Sequence, residues 1–157
     1  MSFFDYSEQY DYPIFFEECL VPQQTKIFRE LINKYHSYVK YSDVPQRRIN
    51  YLIYRTSDSK VIGAIGISSC VLAISVRDNY IGWDKETRLR NSNMVANNYR
   101  FCLTPDNGIK NVGTMALKLL RVEGGKRWKE KYGDDLVMLE TFVQPFRDDS
   151  DNKRNGA

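Results

Sequence analysis

One stretch in the second half of the sequence restricts the fold more than any other segment. Apolar residues recur there at spacings of three and four, the pattern of a helix with one face buried in a core. The pair Gly124–Gly125 predicts a break in this helix, and "KRWKEKYG" predicts one or two further turns that end at Gly133. The periodic residues are Val112, Met115, Ala116, Leu119 and Leu120.

Strand-like runs flank this helix on both sides. "YRFCL" (Tyr99–Leu103) precedes it, and "LVMLETFV" (Leu136–Val143) follows it as a near-continuous apolar run typical of an interior strand. A strand, a crossover helix and a second strand in one sheet give parallel strands with a right-handed connection. The two strands are therefore predicted to be parallel neighbours bridged by the helix.

A predicted β-hairpin adds antiparallel strands to this unit. "INYLIYR" and "VIGAIGI" are rich in β-branched residues and are separated by "TSDSK", a turn composition. A helix that begins at Pro22 precedes the hairpin, and two short helices are predicted after it, one of them capped by Asp84. The expected fold is α/β, a mixed sheet with an antiparallel hairpin and a parallel β-α-β crossover, resembling the acyltransferase fold of the GNAT type.

The composition predicts one domain, placed at residues 21–147 between a tyrosine-rich arm at 1–20 and a polar tail at 148–157; the layout of its elements makes this domain resemble the GNAT type. Of the 157 residues, 42% are hydrophobic and 27% charged, which is typical of a folded protein. No segment reaches the roughly 20 apolar residues that span a bilayer, and the first residues lack the apolar core of a signal peptide. Three scattered cysteines and one histidine argue against a Cys/His zinc site. We therefore expect a cytoplasmic protein that holds no metal and contacts no membrane.

The start of the predicted long helix is a candidate anion site. Lys110, Asn111, Gly113 and Thr114 stand where the backbone N–H groups of a helix N-terminus would be free to bind a phosphate. The segment resembles, in altered form, the loop that holds coenzyme A pyrophosphate in GNAT acyltransferases, with Met115 in place of the second small residue. The alternative is an ordinary helix start without a ligand.

Two titratable residues are candidate catalysts. Glu140 would project from an otherwise apolar strand, where an unpaired carboxylate is costly to bury, so it is either a general base or the partner of an arginine. His36 follows the first predicted helix, where a histidine acts either as a catalyst or as a partner of the helix C-terminus. Both alternatives stay open for each residue.

An asparagine-rich stretch, "LRNSNMVANNYRF" (Leu89–Phe101), is a candidate recognition surface. Asparagine is a poor helix former and is depleted in strands, so the run indicates side chains that hydrogen-bond a ligand. Alternate residues of a strand share a face, and Asn98 and Arg100 are therefore predicted to point to the same side. Together with Asn97 and Glu140 they are expected to line one concave surface.

Four segments resemble the signature blocks of the first-component protein family of the Druantia anti-phage defence system. They are "YIGWDKETRLRN", "VANNYRFCLTP", "NVGTMALKLL" and "LETFVQPFR", in the order of the family blocks. The resemblance extends from about residue 35 to 147, and the layout is more distantly similar to Mom-type phage DNA-modification proteins, which are GNAT-like. The positions that match family blocks are Tyr35, His36, Trp83, Arg88, Asn91, Asn97, Asn98, Arg100, Asn111, Glu140 and Thr141.

The sequence also departs from the family pattern. Tyr99 stands in place of a serine, Gln144 in place of an aspartate, and "NVGT" in place of "NLAS". The family continues through a further block that would begin at about Gly156, so the resemblance implies that a C-terminal element is missing. The side of the Leu136–Val143 strand is then expected to pair with a second polypeptide or with another copy of this chain.

The resemblance implies an anti-phage defence protein and leaves two classes of function open. In the first, a GNAT-like pocket acts on or senses phage nucleic acid or a nucleotide; Glu140 and His36 would be catalytic, and the segment from Lys110 to Thr114 would hold a cofactor, for which an acyl-CoA-like donor is one candidate. In the second, a non-catalytic module binds nucleic acid or a helicase partner. The same side chains would bind the substrate in either class: Tyr35, Trp83, Arg88, Asn91, Asn97, Asn98, Arg100 and Thr141.

Two observations separate these classes. A deep cleft that contains Glu140 favours the enzyme, whereas a flat basic face favours the binding module. The net charge of +3 permits nucleic acid as a partner but does not require it, because dedicated non-specific binders are more basic.

Overall fold

A computed structural model describes residues 8–36, 41 and 46–143 of the chain. The polar tail predicted at 148–157 lies outside these residues. In chain order the elements are β1 (Ile14–Glu18), α1 (Pro22–Tyr35), β2 (Arg48–Arg55), β3 (Lys60–Ser69), α2 (Ser75–Ile81), α3 (Lys85–Asn91), a 3₁₀ turn (Ser92–Met94), β4 (Val95–Leu103), α4 (Val112–Leu119), a π-helical segment (Leu120–Gly124), α5 (Gly125–Tyr132) and β5 (Met138–Glu140).

The strands form one five-stranded sheet in the order β1-β2-β3-β4-β5. Strands β1 to β4 are antiparallel neighbours, and β5 pairs with β4 in parallel. The predicted hairpin, β2 with β3, and the predicted parallel neighbours, β4 with β5, are confirmed. The parallel pairing joins Val95–Asn97 to Met138–Glu140, so it lies before the predicted strand Tyr99–Leu103. The fold is therefore α/β with a mixed sheet.

The sheet begins earlier in the chain than predicted. Residues 14–18, which were assigned to the N-terminal arm, form the edge strand β1 and pair with β2. Helix α1 then begins at Pro22, as predicted, and the Gln24 side-chain oxygen accepts the N–H groups of Leu20 (2.9 Å) and Val21 (3.1 Å) that precede the helix.

The expectation that Gly124–Gly125 breaks the long helix is wrong. The backbone stays helical from Val112 to Tyr132, and the glycines lie at the junction between the π-helical segment and α5. A Cβ atom at Gly124 would lie 3.4 Å from the Ile67 side chain of β3, so the missing side chain lets the helix pack closely on the sheet.

The two faces of the sheet are covered differently. The helical stretch from α4 to α5 packs on one face, over a cluster that includes Ile49, Ile53, Ile65, Ile67 and Trp128. Helix α1 packs on the other face, where Phe28 and Ile32 contact a smaller cluster of Leu52, Ala64 and Cys102. Among the described residues, α1 covers only part of its face, and polar side chains occupy the remainder near β5 and the start of β4.

Candidate functional site

A β-bulge in β4 decides which side chains of the asparagine run face α1. Arg100 lies opposite Gly66, whereas Asn98 lies opposite Ile67, so Tyr99 is the extra residue of the bulge. The bulge requires glycine at position 66, because a Cβ atom there would lie only 2.8 Å from the Tyr99 ring. Arg100 therefore shares the α1 face with Gly66 and Cys102, while Asn98 points to the opposite face. The expectation that Asn98 and Arg100 share a face is wrong, because the bulge breaks the alternation.

Asn98 holds the bulge in place. With its amide oriented to satisfy both contacts, its side-chain nitrogen donates to the carbonyl oxygens of Gly66 (3.1 Å) and Arg100 (3.0 Å). This asparagine thus replaces hydrogen bonds that the bulge interrupts, and it fixes the backbone on which Arg100 is mounted.

Asn97 and Glu140 lie on the same face as Arg100. Asn97 is the direct partner of Ser68 on β3 and of Glu140 on β5, and directly opposed residues share a face. We call this surface, formed by Ser68, Asn97, Arg100 and Glu140, the polar face. Asn97 is 7% exposed, and its side-chain oxygen has no hydrogen-bond partner among the described residues. The Nε atom of Arg100 is likewise buried without a partner there.

Glu140 is held by an arginine that sequence analysis missed. The Nη1 atom of Arg77 lies 3.0 and 3.2 Å from the two carboxylate oxygens, and the backbone N–H of Val71 donates to one of them (3.2 Å). This geometry matches the alternative in which Glu140 pairs with an arginine. Both oxygens are occupied, so Glu140 ties β5 to the loop before α2.

Asp78 extends this contact into a cluster of four charges. It accepts hydrogen bonds from Arg77 Nε (3.1 Å) and from Arg88 Nη1 (2.8 Å). The side chains of Arg77, Asp78 and Glu140 are only 7%, 6% and 10% exposed. The hydrogen bond from Arg88 lowers the pKa of the Asp78 carboxyl, and Arg77 adds to the effect. We call Arg77, Asp78, Arg88 and Glu140 the Arg77 cluster.

Trp83 contacts the Arg77 cluster. Asn91 and Thr141, which also match family blocks, lie at the ends of neighbouring elements. The Arg77 guanidinium carbon lies 5.9 Å from the centre of the Trp83 ring, a cation–π contact at the outer limit. Asn91 is the last residue of α3, and Thr141 is exposed directly after β5. A short-range signal for the missed pair was present in the sequence, since Arg77 and Asp78 are adjacent charges at the end of a mostly apolar run.

His36 and Tyr35 lie at the C-terminal end of α1. Tyr35 packs against the smaller apolar cluster beneath α1, and the backbone N–H of His36 donates to the carbonyl of Ile32 (2.9 Å). Burial lowers the pKa of His36, and the charge of Arg100 lowers it further. The imidazole is therefore neutral at pH 7, and it belongs to the same side of the sheet as Arg100.

The candidate anion site at the start of α4 lies away from the polar face. It follows the C-terminal end of β4, whereas Glu140 pairs with Asn97 near the other end, about 20 Å away along the strand. Lys110, Asn111 and Thr114 are exposed. A Cβ atom at Gly113 would make only ordinary contacts, at 3.8 Å to Leu103 and 4.0 Å to Phe101, so no bound group is needed to explain this glycine.

A groove of about 440 Å³ lies on the opposite face, beside β5. Strands β4 and β5 pair over only three residues each, and β4 then continues to Leu103 without a strand partner on that edge among the described residues. Asn98 and Glu140 contribute to the groove, which is otherwise largely apolar. Its lining residues are Asn98, Leu117, Leu120, Arg121 and residues 137–141. We call it the β5 groove.

The comparisons with known proteins agree with the sequence blocks. The family model described as Druantia protein DruA matches residues 16–147, which include every element from α1 to β5. The chain belongs to this family. Over 49 residues it is 47% identical to Druantia protein DruA of Escherichia coli (strain UMEA 4076-1), a segment that covers 31% of this chain and 12% of that protein.

The DruA family is a family of anti-phage defence proteins, and the matched region contains the polar face, the Arg77 cluster and the β5 groove. Within the described part of the chain, no group of three or more His, Cys, Asp or Glu side chains is placed to bind a metal ion. None of the described helices combines the length and the apolar character needed to cross a membrane.

Proposed function

We propose that this DruA-family chain recognises phage nucleic acid or a nucleotide through its polar face. The supporting observation is the pair of buried atoms without partners, the acceptor Oδ1 of Asn97 and the donor Nε of Arg100, on one face of the sheet. Buried polar atoms are usually hydrogen-bonded, so their pairing awaits a ligand. Amide and guanidinium groups together suit the edges of nucleic-acid bases and the phosphates between them.

The charge of the surroundings supports an anionic ligand. The polar face and the Arg77 cluster together carry the guanidinium groups of Arg77, Arg88 and Arg100 against the carboxylates of Asp78 and Glu140. Both carboxylates are already paired, so they do not oppose a phosphate at Arg100. Recognition is favoured over acid–base chemistry at Glu140, because that carboxylate is occupied by Arg77.

Fluorescence anisotropy with labelled single-stranded and double-stranded DNA, each measured at a low and a high salt concentration, tests the proposal. Replacing Arg100 by Gln removes a ligand contact and should weaken binding roughly fivefold to a hundredfold. Lys118→Gln removes the same charge from an exposed position of α4 and should change affinity less than about twofold. Equal losses in both variants would mean that only net charge matters, and the polar face would then have no role in recognition.

A GNAT-like pocket is the second candidate function. It is supported by the early separation of β4 and β5 and by the β5 groove, which lies between β5 and α4. The residues at the start of α4 support an acyl-CoA-like donor only in part, since a Cβ atom at Gly113 would make only ordinary contacts and the glycine does not mark a close approach by a phosphate. Thermal unfolding at increasing concentrations of coenzyme A tests for a donor site. A rise in Tm that Lys110→Gln abolishes supports such a site, and an unchanged Tm counts against one.

We further propose that a second polypeptide, either another copy of this chain or a different protein, pairs along the β5 side. Phe142 is 56% and Val143 81% exposed next to this edge strand, and Leu117 beside the β5 groove is 42% exposed. Unpaired strand edges with apolar neighbours commonly recruit a partner. Light scattering should detect self-association that Phe142→Ser weakens; a monomer at high concentration would leave only a different protein as the partner.

A further inference from the structure

A second polar pocket lies on the sheet face opposite the polar face, between β1, β2 and the helical stretch above them. It has a volume of about 260 Å³ and is lined by Glu18, Tyr51, Glu123, Lys126, Arg127 and Glu130. None of these residues was singled out by the sequence, and none belongs to the proposed recognition surface. We call it the Tyr51 pocket.

Tyr51 forms the floor of this pocket. Its ring stacks on Phe16 with the ring centres 5.3 Å apart, and the residue is only 5% exposed. The hydroxyl oxygen is buried and has no hydrogen-bond partner among the described residues. Leaving a buried hydroxyl unpaired costs stability, so a tyrosine here, where phenylalanine would pack as well, indicates a polar group that enters the pocket.

The carboxylates around Tyr51 are unequally paired. Glu18 accepts from Arg127 Nε (2.6 Å) and lies 3.9 Å from Lys131, and Arg127 also lies 3.6 Å from Glu130. Glu123 has no cation within 4.0 Å among the residues that the structure describes, although it lies near Lys126. Burial by neighbouring atoms raises the pKa of Glu123, although the residue as a whole is exposed.

The π-helical segment explains how Glu123 reaches this position. A π-turn inserts one residue into a helix and rotates the side chains around it, and such turns occur often at functional sites. Glu123 belongs to this segment, one residue before Gly124, where the helix packs closely on β3. The segment therefore places Glu123 in the same pocket lining as Tyr51.

The chemistry of the pocket selects a cation. Three carboxylates and two basic side chains, Lys126 and Arg127, line the pocket, and Lys131 reaches Glu18 from beside it. Glu123 is the lining carboxylate left without a cation within 4.0 Å among the described residues. The volume is below the range of about 300–1,000 Å³ that holds drug-sized ligands, so only a small or narrow group fits. A phenol oxygen and a carboxylate are both acceptors for an ammonium group.

We propose that the Tyr51 pocket binds the primary ammonium group of a short aliphatic amine. The ammonium donates to the hydroxyl oxygen of Tyr51 and to the carboxylate of Glu123, and the aliphatic part follows the stems of Lys126 and Arg127. The site is independent of nucleic-acid recognition, because it lies on the other face of the sheet.

Nuclear magnetic resonance titration with putrescine tests the proposal on the full chain. We expect saturable shifts of the backbone amides of Glu123 and Gly124, and none with butane-1,4-diol, which has the same length but no charge. Glu123→Gln and Tyr51→Phe should each lower the affinity for putrescine by a factor of roughly ten or more, since each removes a hydrogen bond to a charged group.

Thermal unfolding separates a binding role of Tyr51 from a structural one. Tyr51→Phe removes an unpaired buried hydroxyl, so the ligand-free variant should be as stable as the wild type or more stable, while its response to putrescine is lost. Lys118→Gln, far from the pocket, should leave the titration unchanged. Equal binding of the diol, wild-type affinity in both pocket variants, or no shift at roughly 10 mM putrescine would each overturn the proposal.

Discussion

The two faces of the sheet differ in how each is held together. Beneath the helical stretch from α4 to α5, fully buried apolar side chains such as Ile67, Leu120 and Trp128 form one continuous core. Beneath α1 the apolar cluster is smaller, and beyond it the polar face and the Arg77 cluster replace apolar packing with paired charges. The first face is stabilised by many weak packing contacts. The second is stabilised by a few ion pairs, in which removing one partner leaves a buried charge unpaired.

This difference indicates what the polar face is for. Apolar residues in place of a buried ion pair often leave stability unchanged or increase it, so stability alone does not explain four charges in this position. The recognition role proposed above would account for them, because the cluster fixes β5 and Asn97 on the face that carries Arg100.

The largest loss is expected at Trp128, which is fully buried in the apolar face. Trp128→Ala removes a large side chain and leaves a cavity, so the free energy of unfolding should fall by about 3–5 kcal/mol. Urea unfolding followed by circular dichroism measures it. Leu117→Ala, on the same helical stretch but 42% exposed, should cost less than about 1 kcal/mol. Similar losses for both would mean that this face lacks a tightly packed core.

Arg77→Met tests the polar side of the comparison. It leaves Glu140 buried without its cation, and the free energy of unfolding should fall by about 3 kcal/mol. Adding Glu140→Gln should recover part of that loss, because the unpaired charge is removed. Arg90→Met, an exposed arginine of α3, is the matched control and should change stability little. A double variant no more stable than the single one would show that the two residues do not act as a pair.

The sequence was sufficient for the elements whose pattern is local. The stripe from Val112 to Leu120 predicted α4, and the β-rich runs predicted the hairpin and the parallel neighbour β5. The long helix was divided wrongly because Gly124 was interpreted as a terminator. In the structure this glycine serves a close approach to β3, which depends on tertiary packing and leaves no local signal.

The candidate site was predicted in residues but not in arrangement. Family blocks pointed to Trp83, Arg88, Asn97, Arg100 and Glu140, which the structure brings to one side of the sheet. Two features could not be derived from the sequence. The contact between Arg77 and Glu140 joins positions 63 residues apart, and the bulge at Tyr99 reverses the side on which Asn98 lies.

A smaller effect is expected at Asn98, which links the bulge to the polar face. Asn98→Ala removes hydrogen bonds to the carbonyls of Gly66 and Arg100, so the free energy of unfolding should fall by about 1–2 kcal/mol. Because Arg100 loses its fixed backbone, DNA affinity should also fall, although Asn98 faces away from the ligand. Asn93→Ala, an exposed asparagine of the same run, should alter neither. Lower stability with unchanged DNA affinity would place the recognition surface elsewhere.

The last effect concerns pH: Asp78 should contribute its full stabilisation at neutral pH, and this contribution should be lost in acid. The hydrogen bond from Arg88 holds the pKa of this carboxyl below its usual 3.8 in the folded chain. The unfolded chain therefore binds the proton more readily, so the stabilisation is fully present above about pH 5 and is lost as the pH falls through the lowered pKa. Urea unfolding from pH 7 down to about 2.5 should give a decline below about pH 4 that is shallower in Asp78→Asn than in the wild type.

His36, whose lowered pKa makes stability fall as the pH drops below about 6.5, affects both proteins equally and cancels in the comparison. Trp128→Ala provides the contrast: it should shift the whole curve down without changing its slope, because no titrating group is lost from the apolar face. If Asp78→Asn follows the wild-type slope in acid, the Arg88–Asp78 pair adds nothing to stability, and the polar face would then depend on Arg77 and Glu140 alone.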